Sequence, residues 1–327
     1  MLNLSRRYSL GALGTTLLLA ALPAPAQSAP YRISWMSPTR AVDGSPFFDE
    51  LRNGLRDLGY VEGRNLVLEA HWGEDSPERI ASLVAAVVAS NPSIIVAQGG
   101  ITVAVHKATK TIPVVFGYSG DPVEAGLVAS LSRPGGNLTG MSYMALDLVG
   151  KRIEILKEMM PRMKKIAVVA NPQHPGDKAE RRVSEEAAKT LGLSVAYFEV
   201  SSVPQLETAL AAIEKSGSDA VVMFPVQNII RNRERIAAWS LKHKLPVVSG
   251  WAQFAEGGNL MSYGPNLRAS SNRLAYFVDK ILKGTKPSEI PVELPLRVEM
   301  ALNLKTAKAL GLAVPYTVML RADQVIK

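Results

Sequence analysis

The sequence predicts an α/β protein of two doubly wound parallel-sheet lobes joined by hinge crossovers, and three observations carry that prediction. Short β-branched apolar runs alternate with stretches whose apolar residues recur at helical spacing, and no hairpin signals separate the runs. That rhythm belongs to parallel strands covered by helices on both faces. A framework also occurs twice. Ile112-Pro113-Val114-Val115-Phe116-Gly117 is followed by Gly135-Gly136-Asn137-Leu138 and Met141-Ser142-Tyr143; Leu245-Pro246-Val247-Val248-Ser249-Gly250 is followed by Gly257-Gly258-Asn259-Leu260-Met261-Ser262-Tyr263. Two similar lobes are therefore expected, with the Gly-Gly-Asn segments as the crossings and a ligand where the lobes meet. Finally, 327 residues, 47% of them hydrophobic, suffice for two cores of about 150 residues each. The expected division is 31–138 plus 264–320 for one lobe and 139–263 for the other.

In chain order, residues 31–36 form a strand, 37–46 a Ser/Pro/Gly-rich loop, and Phe47, Leu51, Leu55 and Leu58 one face of a helix. Residues 65–70 make a second strand. Ser76-Pro77 starts a helix, a capping hydroxyl before proline at the first helical position. Asn91-Pro92 interrupts the apolar stretch 80–105, which therefore reads as helix, turn and strand (93–97) and not as a membrane span. A further helix ends near Thr109, and 112–116 is the next strand. From Leu148 the rhythm restarts. Val149, Ile153, Leu156 and Met160 share a helical face; strands follow at 165–170, 193–200, 219–224 and 246–249. Between them lie a polar helix over 181–190, one opened by a Ser202/Gln205 capping box, and one over 228–243. A helix over 266–283 stops at Gly284, and a strand-like stretch over 294–302 and a short helix over 304–310 precede an ambiguous end.

Arg6 and Arg7 precede an apolar run over 10–22 and small residues over 23–29, the order of a secretory signal. The expected signal is 1–26, cleaved after Ala26, with Ser28 as the alternative. Ser5-Arg6-Arg7-Tyr8-Ser9-Leu10 is also a partial twin-arginine pattern, with Ser9 where a bulky apolar residue is usual. The chain has no cysteine, so neither a disulfide nor a lipid-modified cysteine is available. An unanchored periplasmic protein is expected. Net charge is +8 and falls to +6, 35 basic against 29 acidic residues, once 1–26 is removed. The basic residues are scattered, which describes a solvated surface and not a nucleic-acid footprint.

In parallel α/β sheets ligands bind at the carboxyl ends of strands. Ser37, Gly99, Thr102, Ser119 and Asn171 fall in such loops, where they can hydrogen-bond a ligand or simply form turns. Tyr118, Phe224 and Trp251 end or follow strands, so each ring either stacks on a ligand or packs in the core. Asp121 can accept from a ligand's ammonium or amide group, and in Asp121-Pro122-Val123-Glu124 it also fits a helix cap. There is no Walker loop, no Gly-x-Gly-x-x-Gly after a strand and no nucleophile elbow. His71, His106, His174 and His243 lack metal-ligand spacing and are expected to serve at the surface or in packing. A binding protein without metal or cofactor is expected, with an exported α/β hydrolase as the competing class.

The stretches IPVVFGYSGDPVEAGLVASLSRPGGNLTGMSY and LVGKRIEILKEMMPRMKKIAVVANP resemble the ABC transporter substrate-binding family that includes tryptophan-binding and related proteins. The likeness covers nearly all of residues 31–320 and is most specific from Gly120 to Gly140. It implies a type I periplasmic-binding-protein fold, a ligand trapped between lobes, and a permease and an ATPase as partners of a monomeric chain. One departure is Gly99-Gly100-Ile101, where many members carry Thr or Ser with Pro. The expected ligand is a small organic molecule with a carboxylate and an apolar or aromatic body, such as an amino acid. A sensory binding protein that presents its ligand to a membrane receptor is the alternative within this fold.

Overall fold

The computed structural model describes residues 29–143 and 146–327; the expected signal over 1–26 lies outside the described residues. The first sheet comprises β1 (Tyr31–Ser37), β2 (Leu66–Trp72), β3 (Ile94–Gln98), β4 (Val114–Tyr118) and β5 (Leu138–Ser142), all parallel, in the order β2-β1-β3-β4-β5. Helices α1 (Ala41–Asp57), α2 (Pro77–Ala89) and α3 (Ile101–Ala108) connect the first four strands. The second half follows with α4 (Leu146–Met159), β6 (Lys165–Ala170), α5 (Asp177–Thr190), β7 (Ser194–Glu199), α6 (Val203–Lys215), β8 (Ala220–Met223), α7 (Gln227–Arg231), α8 (Arg233–His243), β9 (Val247–Ser249), α9 (Ala252–Glu256) and β10 (Met261–Pro265). After α10 (Leu267–Leu282) come β11 (Val298–Asn303), α11 (Leu304–Ala309), α12 (Tyr316–Met319) and β12 (Gln324–Ile326). The second sheet is ordered β12-β11-β10-β9-β8-β6-β7, and only β10–β11 pair antiparallel within it.

Continuous apolar runs work here because each sheet is covered on both sides. Successive side chains of a strand point to opposite faces. Ile94 and Val96 of β3 join the core under α1 and α10, whereas Ile95 and Ala97 join the one under α2 and α3. In β6, Ile166, Val168 and Ala170 divide from Ala167 and Val169 in the same way.

Local signals hold unevenly. Ser76 Oγ accepts from Arg79 N at 3.2 Å as a cap should. Ser202 makes no side-chain cap bond, and Gln205 Oε1 accepts from Ser201 N at 2.8 Å, one residue before the cap, so the expected capping box does not form. The expected helix over 228–243 breaks at Asn232 into α7 and α8.

Two expectations are corrected. Gly135-Gly136-Asn137 and Gly257-Gly258-Asn259 are not the crossings; they are turns that feed β5 and β10 from within each sheet. Their residue types have a local cause. Gly135 and Gly258 adopt φ of 82° and 98°, open to glycine without strain. The following asparagines then bond backbone carbonyls: Asn137 Nδ2 donates to Ile112 O at 2.7 Å, and Asn259 Nδ2 to Arg233 O, at the start of α8, at 2.8 Å. The chain crosses at the opposite ends of those strands, after Ser142 and after Pro265, and returns between Glu293 and Val298. The division of the chain shifts accordingly. Residues 139–142 stay in the first sheet, and 298–303 pair with β10 in the second, since Ser142 N bonds Glu293 O at 3.0 Å before the chain leaves the first lobe. Residues 267–293 remain with the first lobe, where Leu274, Phe277 and Val278 of α10 share a core with Leu51 and Leu55 of α1.

Candidate functional site

The carboxyl ends of β1, β3 and β4 face those of β8 and β9 across a cleft, and loops from both lobes line two adjoining cavities there. The larger, of about 110 Å³, is bounded mainly by apolar surface from Trp35, Phe47 and Leu267, with Ser37, Thr39, Gln98 and Gly99 at its edge. The smaller, of about 30 Å³, lies against Val149, Arg152, His174 and Glu180. Ser119, Tyr143 and Trp251 line both.

Tyr143 is held in place between strand ends of the first lobe. Its hydroxyl donates to Gln98 Oε1 at 3.2 Å, and burial holds its pKa above the ordinary tyrosine value. This placement requires Gly117: a Cβ there would lie 2.1 Å from the Tyr143 hydroxyl oxygen.

At the floor of the cleft, Gly176 N donates to His174 Nδ1 at 3.2 Å, which makes that nitrogen the acceptor. The proton is therefore on Nε2, which donates across the cleft to Ser119 Oγ at 3.0 Å. Burial pushes the His174 pKa down to about 4, so the ring is neutral. Its Nδ1 lies 3.7 Å from Glu180 Oε2 without a proton to offer. Burial pushes Glu180 up to about 7; Arg152 opposes that shift and the Asp177 charge adds to it. Burial likewise lowers Arg152 to about 10, against the pull of Glu180. Arg152 Nε donates to Tyr263 O at 2.7 Å, which ties α4 to β10.

At the rim a second bridge spans the cleft. Arg231, at the end of α7, donates from Nε to Asp43 Oδ2 at 2.7 Å and from Nη1 to Asp75 Oδ2 at 2.5 Å. Burial alone would lower the Arg231 pKa, but bonds to Asp75 and Asp43 outweigh it and the net shift is upward. Asp43 is lowered overall, because Arg231 and Arg40 together outweigh its desolvation.

Of the residues singled out from sequence, Ser37, Gly99, Ser119 and Trp251 come together in the cleft. The others lie elsewhere. Thr102 Oγ1 donates to Ala97 O at 3.3 Å in the core, and Tyr118 and Phe224 are core residues, 3% and 1% exposed. Asp121 Oδ1 accepts from Val123 N and Glu124 N at 2.8 and 3.2 Å, but it caps a turn and no helix follows. Asn171 Oδ1 accepts from Gln173 N and Ser201 Oγ at 3.0 Å each. Trp35, Tyr143, Arg152, His174 and Glu180 were not singled out as site residues. Arg152 and Glu180 stand in helices where a charge ordinarily marks a solvated face, and no sequence signal separates them from the exposed charges around them. Among the described residues no cluster of three or more His, Cys, Asp or Glu could hold a metal ion.

Two α/β lobes with a cleft at their strand ends define the solute-binding-protein class of folds. A family model described as ABC transporter substrate binding protein matches residues 46–326. A tyrosine-binding protein of Clostridioides difficile (strain R20291) is 27% identical over 274 residues, 82% of this chain and 78% of the relative. The crystal structure of a conserved domain protein from Vibrio cholerae superposes with a TM-score of 0.84 at 26% identity, covering 90% of this chain and 99% of that one. A Streptococcus pneumonia ABC domain in complex with L-Trp gives a TM-score of 0.84 at 23% identity, covering 91% and 100%. The chain belongs to the ABC transporter substrate binding protein family. It is a solute-binding component and not an enzyme.

Proposed function

We propose that this chain is the periplasmic receptor of an ABC importer and captures a small organic molecule, an amino acid or aromatic carboxylate, between its lobes. One observation carries the reading: a mainly apolar slot between Trp35, Phe47 and Trp251 adjoins a polar floor where Arg152 is buried. An apolar body with a charged end fits such a pair of spaces. A ligand touching both lobes favours the closed arrangement by its differential affinity, which a permease and its ATPase then recognise. The tyrosine-binding relative and the L-Trp complex support this ligand class. The Arg6-Arg7 and apolar N-terminal pattern supports export, and the absence of cysteine leaves no residue for a lipid anchor attached through cysteine.

A thermal-shift and calorimetric screen of the mature protein tests the reading. Amino acids or aromatic carboxylates at about 100 times their dissociation constant should add roughly 2.7 kcal/mol of stability, and Trp251→Ala should weaken them at least about tenfold. Stabilisation by sugars or metal ions alone would overturn it.

A further inference from the structure

The small cavity contains two buried charges with unfilled bonding capacity. Arg152 is 2% exposed and Glu180 7% exposed. Arg152 Nη1 and Glu180 Oε2 are each buried without a hydrogen-bond partner among the described residues. Buried charges are costly unless they are paired and hydrogen-bonded, so both groups call for a partner from outside the chain.

Their surroundings exclude the simplest partners. Each senses the other's charge, yet no direct ion pair joins them among the described residues. Neutral His174 has no proton on Nδ1, the nitrogen 3.7 Å from Glu180 Oε2, so it cannot donate to that oxygen. Asp177, the other carboxylate nearby, is held by Arg181 through Oδ2 at 2.9 Å; its Oδ1 is also buried without a partner among the described residues, but Asp177 does not line this space. Arg152 is fixed by its bond to Tyr263 O, and Gly250 leaves room for it, since a Cβ there would stand 2.8 Å from Nη2. One donor and one acceptor thus remain on a single space of about 30 Å³, beside the apolar slot.

We propose that Arg152 and Glu180 form the receptor for the head group of an α-amino acid. The ligand carboxylate accepts from Arg152 Nη1, its ammonium donates to Glu180 Oε2, and an apolar side chain fills the slot beside Trp35, Phe47 and Trp251. This proposal rests on the reading of the cleft as the ligand site. A zwitterion satisfies both charges at once. A simple carboxylate leaves Glu180 without a donor, and a simple amine leaves Arg152 without an acceptor.

The test uses matched probes on the full mature chain by calorimetry: L-phenylalanine, 3-phenylpropionate and 2-phenylethylamine, then L-leucine, 4-methylpentanoate and 3-methylbutylamine. In at least one set the amino acid should bind about 10- to 100-fold more tightly than both analogues, the range expected for a lost charge-assisted bond. Glu180→Gln should abolish the preference over the carboxylate, and Arg152→Gln the preference over the amine. Glu180→Asp and Arg152→Lys, which retain charge, serve where the first variants do not fold, and should restore part of each preference. Equal binding of amino acid and analogue, or preferences unchanged in the variants, overturns the receptor. If Trp251→Ala still weakens those probes, the cleft reading survives that failure. Binding of no probe, or binding indifferent to Trp251, overturns both.

Discussion

Two places where the lobes meet, among the described residues, are built on different physics. At the rim, Arg231 meets Asp43 and Asp75 with side-chain exposures of 16%, 13% and 41%, so solvent and salt screen the arm to Asp75 and reach the arm to Asp43 less. At the floor, His174 donates to Ser119 above buried Arg152 and Glu180, where salt has little access and desolvation dominates. The rim carboxylate Asp43 is held below its ordinary value and stays charged at any ordinary pH, whereas Glu180 is poised at about 7. The rim is thus a salt-sensitive latch and the floor a proton-sensitive receptor.

The largest effect expected is from Arg152→Met. It leaves Glu180 buried without a cation and removes the bond to Tyr263 O, and thermal melts at pH 8 should show a loss of about 1–2 kcal/mol, since a carboxyl of pKa about 7 avoids a larger cost by taking up a proton. The loss should shrink below pH 6, where Glu180 is protonated; an equal loss at both pH values would place the effect in packing. Next comes the pH dependence of amino-acid binding. The groups facing Glu180 are Arg152, His174 and Asp177; Arg152 stays charged, and His174, at about 4, stays neutral over this range. Glu180 ionises through about 7, so affinity should fall about tenfold from pH 8 to pH 6. Glu180→Gln should flatten that profile. The same variant should stabilise the unliganded chain at pH 8 but not at pH 4.5. The folded-state pKa of Glu180 is raised, so the stability tied to its proton is complete below about 4.5 and lost as pH rises through about 7.

A smaller change is expected at the rim. Arg231→Met should weaken ligand binding by about 3- to 10-fold, remove most of its dependence on salt, and leave the pH profile unaltered. A change in the pH profile would merge the two regions into one network. Least of all should follow from Gly136→Ala, which meets open space at a residue without positive φ and should move stability by less than about 0.5 kcal/mol. Ligand-induced compaction, measured by small-angle scattering, should match the parent. A defect in closure there would return the hinge to the Gly-Gly-Asn turn.

The fold was legible because periodicity is local. Runs such as Val114-Val115-Phe116 and Ala220-Val221-Val222 have the composition of strands buried on both faces, and the helices between them fix the parallel order. The paired Gly-Gly-Asn motif signalled a true repeat, but glycine conformation and asparagine bonding explain it as a strand entrance, and only strand pairing located the crossings. Ser37, Gly99, Ser119 and Trp251 line the cleft because strand-end loops open onto it. Trp35 could not be separated from a core tryptophan, since it sits inside a strand between Ser34 and Met36, which are both buried.

The sequence by itself determined the two βα repeats, the family and the side of each sheet on which the cleft opens, all set by residues near one another in the chain. Tertiary structure alone decided that Arg152 of α4, His174 before α5, Glu180 within it and Ser119 after β4 meet in one buried space. Burial and charge coupling depend on distances across the fold, and desolvation converts ordinary helix charges into groups with altered proton affinity only after the lobes have packed.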